Sequence, residues 1–424
     1  MKDYFRNMSF TSARRDVRWI VVAKSLSWLG DEVATVALML RLQSHGAGAG
    51  AVSALLIANA LPLVLLSGPV GQLVDRYDNR RLLVGSSLAQ AGVCAAVAFV
   101  HPTAAVLALV AALGAGQAVN GAAWQALLAA VVDGDDLTRA IGRTQVGRTA
   151  AGVVAPVVSG VLVGLYGAPV PLLLDAAAYV LVTGAALAIA TRRVVAAPSG
   201  ERRRGGLAIA WGDGVLRPLL VLLGLFVMLG SMVNVVEVFL IRETLHASTT
   251  MYGVAGATLS AGMLLGAVAA GRLRGPLRLA RGFVVSTLGL AVAIGAVGVA
   301  PSVWWVLPFT TLLGAMNGVL NVTLSSLAMG RTQPSERGRV GALISGVASG
   351  TQIAAFAVGG ALAGVFTPRE IFVTSAVLGL VVPVVLGRGL LRAVAAPTET
   401  SLTAQPAAAE LPPGHGDLDT YSRS

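Results

Sequence analysis

The amino-acid sequence predicts an all-α membrane protein of twelve transmembrane helices, arranged as two six-helix bundles related by a parallel repeat. Three observations carry this expectation: an apolar composition, twelve apolar runs of membrane length, and self-similarity at an offset of about 200 residues. Of the 424 residues, 55% are hydrophobic and 12% charged, and the mean hydropathy is +0.78. A soluble surface needs roughly a quarter charged residues. Half that share means that much of this surface faces lipid. The 51 glycines would weaken helices in water but suit close helix packing in a bilayer. Aromatics make up only 5%, and Ala, Leu, Val and Gly dominate, which argues against a lipid-facing β-barrel.

The net charge of +11 does not point to nucleic acid. The basic residues sit in short clusters between apolar runs, with no continuous basic face and no interleaved aromatics. Cys94 stands in an apolar run and is expected to be a small buried side chain, so neither a disulfide framework nor a metal cluster is expected. His45, His101, His246 and His415 fall in loops or the tail. No cleavable signal peptide is expected, because the first eighteen residues are polar and basic and the apolar run that follows is too long and too charged.

About 30 Å of hydrocarbon at about 1.5 Å per residue needs about twenty apolar residues. The runs that meet this are 19–42, 49–74, 82–101, 104–132, 144–167, 169–190, 218–241, 250–270, 282–300, 303–329, 341–364 and 370–392. Lys and Arg concentrate in alternate loops. With the N-terminus inside, those loops hold Arg76, Arg80, Arg81, Arg139, Arg143, the central Arg202–Arg204 run, Arg272, Arg274, Arg278, Arg281, Arg331, Arg337 and Arg339. The opposite loops offer little beyond Arg41, Arg242 and Arg369. Positive residues stay on the cytoplasmic side, so a multi-pass protein of the inner (plasma) membrane with both termini cytoplasmic is expected.

The repeat aligns Gly71-Gln-Leu73 with Gly271-Arg-Leu273, Arg81 and Val84 with Arg281 and Val284, and Asn120-Gly121 with Asn317-Gly318. Six crossings return the chain to its starting side, so the halves share one orientation. The expected organisation is a bundle over 1–190, a cytoplasmic linker over 191–217, a second bundle over 218–392, and a tail over 393–424 that reads as disordered from its Ala, Pro, Thr and Glu content. Within the linker, Leu207 to Trp211 could lie flat on the membrane surface.

The sharpest local pattern is Gly71-Gln-Leu73-Val-Asp75-Arg76-Tyr-Asp-Asn-Arg80-Arg81 after the second run. A glycine at a helix end lets the backbone turn and neighbours approach. An acid at the membrane face can sit against a helix N-terminus, and the arginines can anchor to anionic headgroups. This stretch resembles the signature loop of the major facilitator superfamily. The resemblance implies that Asp75 meets the start of the eleventh helix and holds a cytoplasmic gate shut. The second-half counterpart keeps Gly271 and the bases but lacks the acid.

Gly152-Val-Val-Ala155-Pro156-Val-Val-Ser159-Gly160 is similar to the glycine-proline motif of exporters in this superfamily, with Ala155 and Ser159 in place of glycines. Small residues there permit tight helix contact, and Pro156 can kink the helix. Gln117 stands where the larger proton-coupled exporter subgroups carry an arginine, before Asn120-Gly121. That departure weakens a transfer of their coupling mechanism. Arg18-Trp19, Gly30-Asp31, Leu174-Asp175-Ala176 and Val215-Leu-Arg-Pro218 resemble the macrolide-efflux and enterobactin-exporter subgroup over most of residues 10–392.

An ionisable residue inside a span costs several kcal/mol unless paired or hydrated. The runs contain Lys24, Asp31, Glu32, Arg148, Asp175 and Glu237. Lys24 lies about 8 Å along the helix from Trp19 and is expected to snorkel to the inner face, as is Arg148, whereas Asp31 lies about 18 Å in. Asp175 and Glu237 fall towards the outer ends. Asp31 is therefore the expected proton carrier, with Glu32 as its rival. Ser231 is the repeat partner of Asp31, facing the same cavity, with Asn234 and Glu237 on the same run.

No catalytic constellation, cofactor motif or phosphate-binding loop is present in the sequence. What the resemblance implies is a monomeric secondary active exporter of an amphipathic drug, antibiotic or siderophore, working by proton antiport with a small-molecule substrate, protons and the lipid bilayer as partners. An importer or lysophospholipid translocator on the same fold, or a non-transporting receptor or scaffold, are the alternatives.

Overall fold

A computed structural model describes residues 2–131, 134–188, 211, 213–333 and 336–395, with side chains described from Val22 onward except at 128–143 and at 395. Most of the expected linker, including Leu207–Ala210, and the tail from 396 lie outside the described residues. Thirteen α-helices are described: α1 (Lys2–Ser44), α2 (Ala49–Leu65), α3 (Ser67–Arg76), α4 (Asn79–Phe99), α5 (Thr103–Val131), α6 (Gly134–Tyr166) and α7 (Pro169–Ala188). After the linker come α8 (Leu216–Phe239), α9 (Thr249–Ala270), α10 (Pro276–Gly298), α11 (Val303–Arg331), α12 (Arg337–Leu362) and α13 (Pro368–Ala395). A π turn, Leu240–Thr244, extends α8.

Every expected run falls in a helix, but the run 49–74 is not one rod. α2 and α3 meet at a 52° bend just past Pro62. Among the described residues, ten helices are long and apolar enough to cross a membrane, or eleven spans if the bent pair is one. α1 is not among them, because Lys24, Asp31, Glu32 and Arg41 interrupt its apolar stretch. Large apolar side chains such as Leu65, Phe99, Leu165, Leu181, Leu265 and Val385 point outward, as a surface bathed in lipid requires.

Local chemistry sets the helix ends. The Asp78 carboxylate accepts from Arg80 N at 2.8 Å and Arg81 N at 3.3 Å, capping α4, and Ser248 Oγ accepts from Met251 N to cap α9. Gly167 takes φ 77°, a left-handed conformation that turns the chain from α6 into α7. The three arginines of the sparsely charged loops have structural employment. Arg41 donates to Val97 O at 2.8 Å and Val100 O at 2.5 Å at the end of α4. Arg369 donates to Ala300 O beyond α10, and Arg242 donates to Ala247 O. Arg41 supplies a cation and a donor where the last carbonyls of α4 lack partners.

In the first half, α1 packs on α6 and α7, α4 on α5 and α7, and α2 on α5. In the second half, α8 packs on α12 and α13, α10 on α11 and α13, and α9 on α11. The halves meet mainly where α2 touches α12 and α6 touches α9. These contacts gather at the end that holds the C-terminus of α1 and the start of α2. There Ser53 Oγ donates to Phe356 O at 2.5 Å, and Gln43 Nε2 donates to Glu243 Oε1 at 3.0 Å. A methyl at Gly160 would lie 2.5 Å from Thr249 O, and one at Gly256 would lie 2.8 Å from Pro156 Cβ. The halves are sealed at that end.

Candidate functional site

Two cavities lie beyond the seal. The first, about 540 Å³, is walled by α1, α2, α5, α6, α7 and α12, with Asp31, Glu32, Lys24, Trp28, Arg148 and Tyr179 among its lining. The second, about 510 Å³, sits among α8 to α13, lined by Ser231, Asn234, Glu237, Asn317 and many aliphatic side chains. Gln352 of α12 lines both.

Asp31 projects from the middle of α1 into a polar network buried between helices. Its Oδ1 accepts from Tyr179 Oη at 2.5 Å and from Gln117 Nε2 at 3.2 Å. Tyr179 in turn accepts from Gln90 Nε2 at 2.6 Å, so α1, α4, α5 and α7 meet at one carboxylate. Glu32 opens on the same cavity, with no hydrogen bond among the described residues. The helical step of about 100° between neighbours thus separates one tethered acid from one free in the cavity.

Lys24 does not snorkel. It is 5% exposed, and its Nζ donates to Asn120 Oδ1 at 2.5 Å while Asn120 Nδ2 donates to Ser87 Oγ at 2.8 Å. An internal acceptor lies within direct hydrogen-bonding reach. The ammonium also lies 5.6 Å from the centre of the Trp28 ring, and the Arg148 guanidinium lies 6.0 Å from it. Arg148 accordingly lines the cavity. Such cation–π contacts help hold charge in a span where water is scarce.

Asp175 is buried at 2% exposure. Its Oδ2 accepts from Cys94 Sγ at 3.1 Å, and it packs so closely on Gly30 that a methyl there would lie 3.1 Å from the Asp175 backbone. Cys94 is buried as expected, but it faces an acid rather than a purely apolar wall.

Several expected placements are changed. Ser231 lines the second cavity and Asp31 the first, and α12 borders both through Gln352. Gly71 lies inside α3, where a Cβ would meet nothing within 4 Å; the chain bends at Leu66 instead. Asp75 and Arg76 are exposed, and Asp75 makes no hydrogen bond or ion pair among the described residues. The start of α12 is therefore not held by Asp75 here, since the halves are joined at the opposite end. Arg80 instead donates to Ala186 O at 2.9 Å and to Leu187 O, tying the loop to the end of α7, and Arg81 is exposed, its backbone N–H bonded to Asp78.

The glycine-proline stretch divides in the same way. Pro156 and Gly160 press against Gly253, Gly256 and Thr249 of α9, while Gly152 has open space around its Cα. Tyr179, Gln90, Trp28 and Gln352 were not candidates from the sequence, because attention to formal charge passes over neutral polar and aromatic side chains. Their signal was a polar residue inside an apolar run.

The profile of the transmembrane secretion effector family matches residues 9–417. No curated protein matches the chain in sequence. Among solved structures, a bacterial homologue of the human lysosomal transporter Spinster, in an inward-facing and unoccupied conformation, is 13% identical with a TM-score of 0.71. The alignment covers 91% of this chain and 99% of that one. A POT family transporter in complex with 5-aminolevulinic acid is 11% identical with a TM-score of 0.72, over 89% and 96% of the two chains. The nucleoside transporter NupG is 11% identical with a TM-score of 0.68, over 89% and 99%. At these identities the likeness is one of fold.

Proposed function

We propose, from the premise that the chain belongs to the transmembrane secretion effector family of the major facilitator superfamily, that this membrane transporter is a secondary active exporter. Its cargo is an amphipathic organic small molecule, and inward proton movement drives it by alternating access. The observation that carries this reading is the pair of cavities beyond a seal between the halves, one of them built around Asp31. An acid held by neutral donors at mid-span can exchange a proton when the cavity alternates between sides. The test is transport by the full chain in inverted vesicles, with and without a proton gradient, across a panel of siderophores and antibiotics. Gradient-dependent accumulation of a panel compound is expected. Uptake of no compound under either condition, by correctly inserted protein, would overturn the reading.

The proposed architecture is twelve spans, with α1 as the first and α2 plus α3 as the second, in two six-helix bundles over 1–190 and 218–392. What supports the repeat is that the pairings α1–α6, α1–α7, α4–α5, α4–α7 and α2–α5 recur as α8–α12, α8–α13, α10–α11, α10–α13 and α9–α11. The protein works as a monomer in the inner membrane with both termini and the 191–217 linker cytoplasmic. Single cysteines at Ser199 and Gly167, in a Cys94-free background, are expected to label oppositely in intact cells. Labelling of Ser199 from outside would reverse the orientation.

With that orientation the seal is extracellular and the conformation inward-facing. The gate contact of Asp75 then belongs to the opposite, outward-facing state, which explains its exposure. Asp75→Asn should leave the inward-facing fold intact and destabilise the outward-facing state by ~0.3–2 kcal/mol, the worth of a carboxylate at a helix N-terminus. That is a shift of about twofold to thirtyfold in a poised equilibrium. Slower transport is expected, with greater cytoplasmic accessibility of a cysteine placed at Asn321. Normal rates with unchanged accessibility would remove Asp75 from the gate.

A further inference from the structure

The two cavities differ in charge as well as position. The first is formally balanced, with Lys24 and Arg148 facing Asp31 and Glu32. One of its aromatic faces, Trp28, already has both cations beside it. In the second cavity Glu237 is the one formally charged lining residue among the described residues. It is half-buried and makes no hydrogen bond or ion pair among the described residues. The same cavity is lined by Phe226, Met263, Leu290, Ile294 and Phe372, with Asn234 nearly a turn before Glu237 on α8.

We propose that this second cavity binds an amphipathic organic monocation, with the Glu237 carboxylate as its counter-ion and the Phe226, Met263 and Phe372 side chains as its apolar walls. The inference rests on the transport reading above and names the substrate class of that site. An unpaired carboxylate among aliphatic walls is expensive, and an incoming cation offsets that expense where an anion would add to it. A neutral guest of the same shape would fill the walls and leave the acid unpaired, so charge becomes the selective feature. The volume of about 510 Å³ suits one drug-sized guest. Protons and cargo then occupy different halves: Asp31 titrates in the first, and Glu237 holds the cation in the second. Gln352, which borders both cavities on α12, is where occupancy of one can be felt by the other.

The test uses two ions of one shape and opposite charge, tetraphenylphosphonium and tetraphenylborate. Their binding to the purified full chain in lipid nanodiscs is measured by equilibrium dialysis against empty nanodiscs. The chain is expected to bind the phosphonium saturably and the borate no better than empty nanodiscs do. Glu237→Gln should weaken phosphonium binding by at least about tenfold, as loss of one partner of a desolvated charge pair does, and Glu237→Asp should restore most of it. Thermal melting of both variants establishes that they fold. Equal binding of the two ions, or undiminished phosphonium binding by folded Glu237→Gln, would overturn the assignment. Gradient-driven export of a neutral or anionic compound, with no phosphonium binding, would overturn it and leave the transport reading standing. Phosphonium binding that depends on Glu237, without gradient-driven transport of any compound, would support the site and remove proton coupling.

Discussion

Asp31→Asn is expected to abolish gradient-driven transport while leaving the protein folded. An asparagine oxygen can still accept from Tyr179 Oη and Gln117 Nε2, the two donors that hold Asp31. The network that joins α1, α5 and α7 therefore survives, and a thermal melt close to that of the parent protein is expected. What is lost is a group that can bind and release a proton. Reconstituted vesicles separate the roles. Downhill exchange of substrate should persist, whereas accumulation against a gradient should not. If binding itself disappears for cationic compounds alone, Asp31 is a substrate counter-ion rather than the coupling acid. If Asp31→Asn transports normally and Glu32→Gln does not, the untethered neighbour carries the proton.

Gly253→Val should open the seal between the halves. A Cβ at Gly253 would run into the Pro156 carbonyl and come within 3.1 Å of Val157 Cα, both backbone groups that cannot swing aside. α6 and α9 must then separate. Overpacking of this kind costs roughly 1–3 kcal/mol, enough to shift a poised two-state equilibrium by about 5- to 150-fold. Because the clash exists only where the halves touch, the cost falls on the sealed state. A cysteine at Thr35, on the cavity wall in a Cys94-free background, should become reactive from the sealed side, and transport should fall. Gly152→Val, at a position with no atom within 4 Å of its Cβ, should do neither. Equal effects of the two substitutions would mean that the stretch acts through helix bending at Pro156 rather than through contact with α9.

The candidate site was legible in part. Asp31, Glu32 and Glu237 stood out in the sequence because a charge in a long apolar run is costly and conspicuous at any fold. Lys24 stood out for the same reason, but it was expected to snorkel and instead bonds to Asn120. Distance along its own helix makes snorkelling look natural, and Asn120 lies 96 residues away in the chain. Gly152 and Gly160 looked alike as small residues, yet only Gly160 meets another helix.

By itself the sequence determined that the apolar runs are helical, and which of them carry charge, although it predicted twelve spans where ten helices, or eleven spans with the bent pair, are long and apolar enough among the described residues. Those properties are local: about twenty apolar residues in a row must satisfy their own backbone hydrogen bonds in lipid, whatever surrounds them. Only the tertiary structure decided that Tyr179 and Gln117 hold Asp31, that Gly253 receives Pro156, and that Asp75 stands apart from α12. Neutral polar side chains and glycines acquire their meaning from whatever packs opposite. In a bilayer, where lipid is as apolar as leucine, that choice of neighbour is made by close fit and hydrogen bonding between distant segments, which no run of residues encodes on its own.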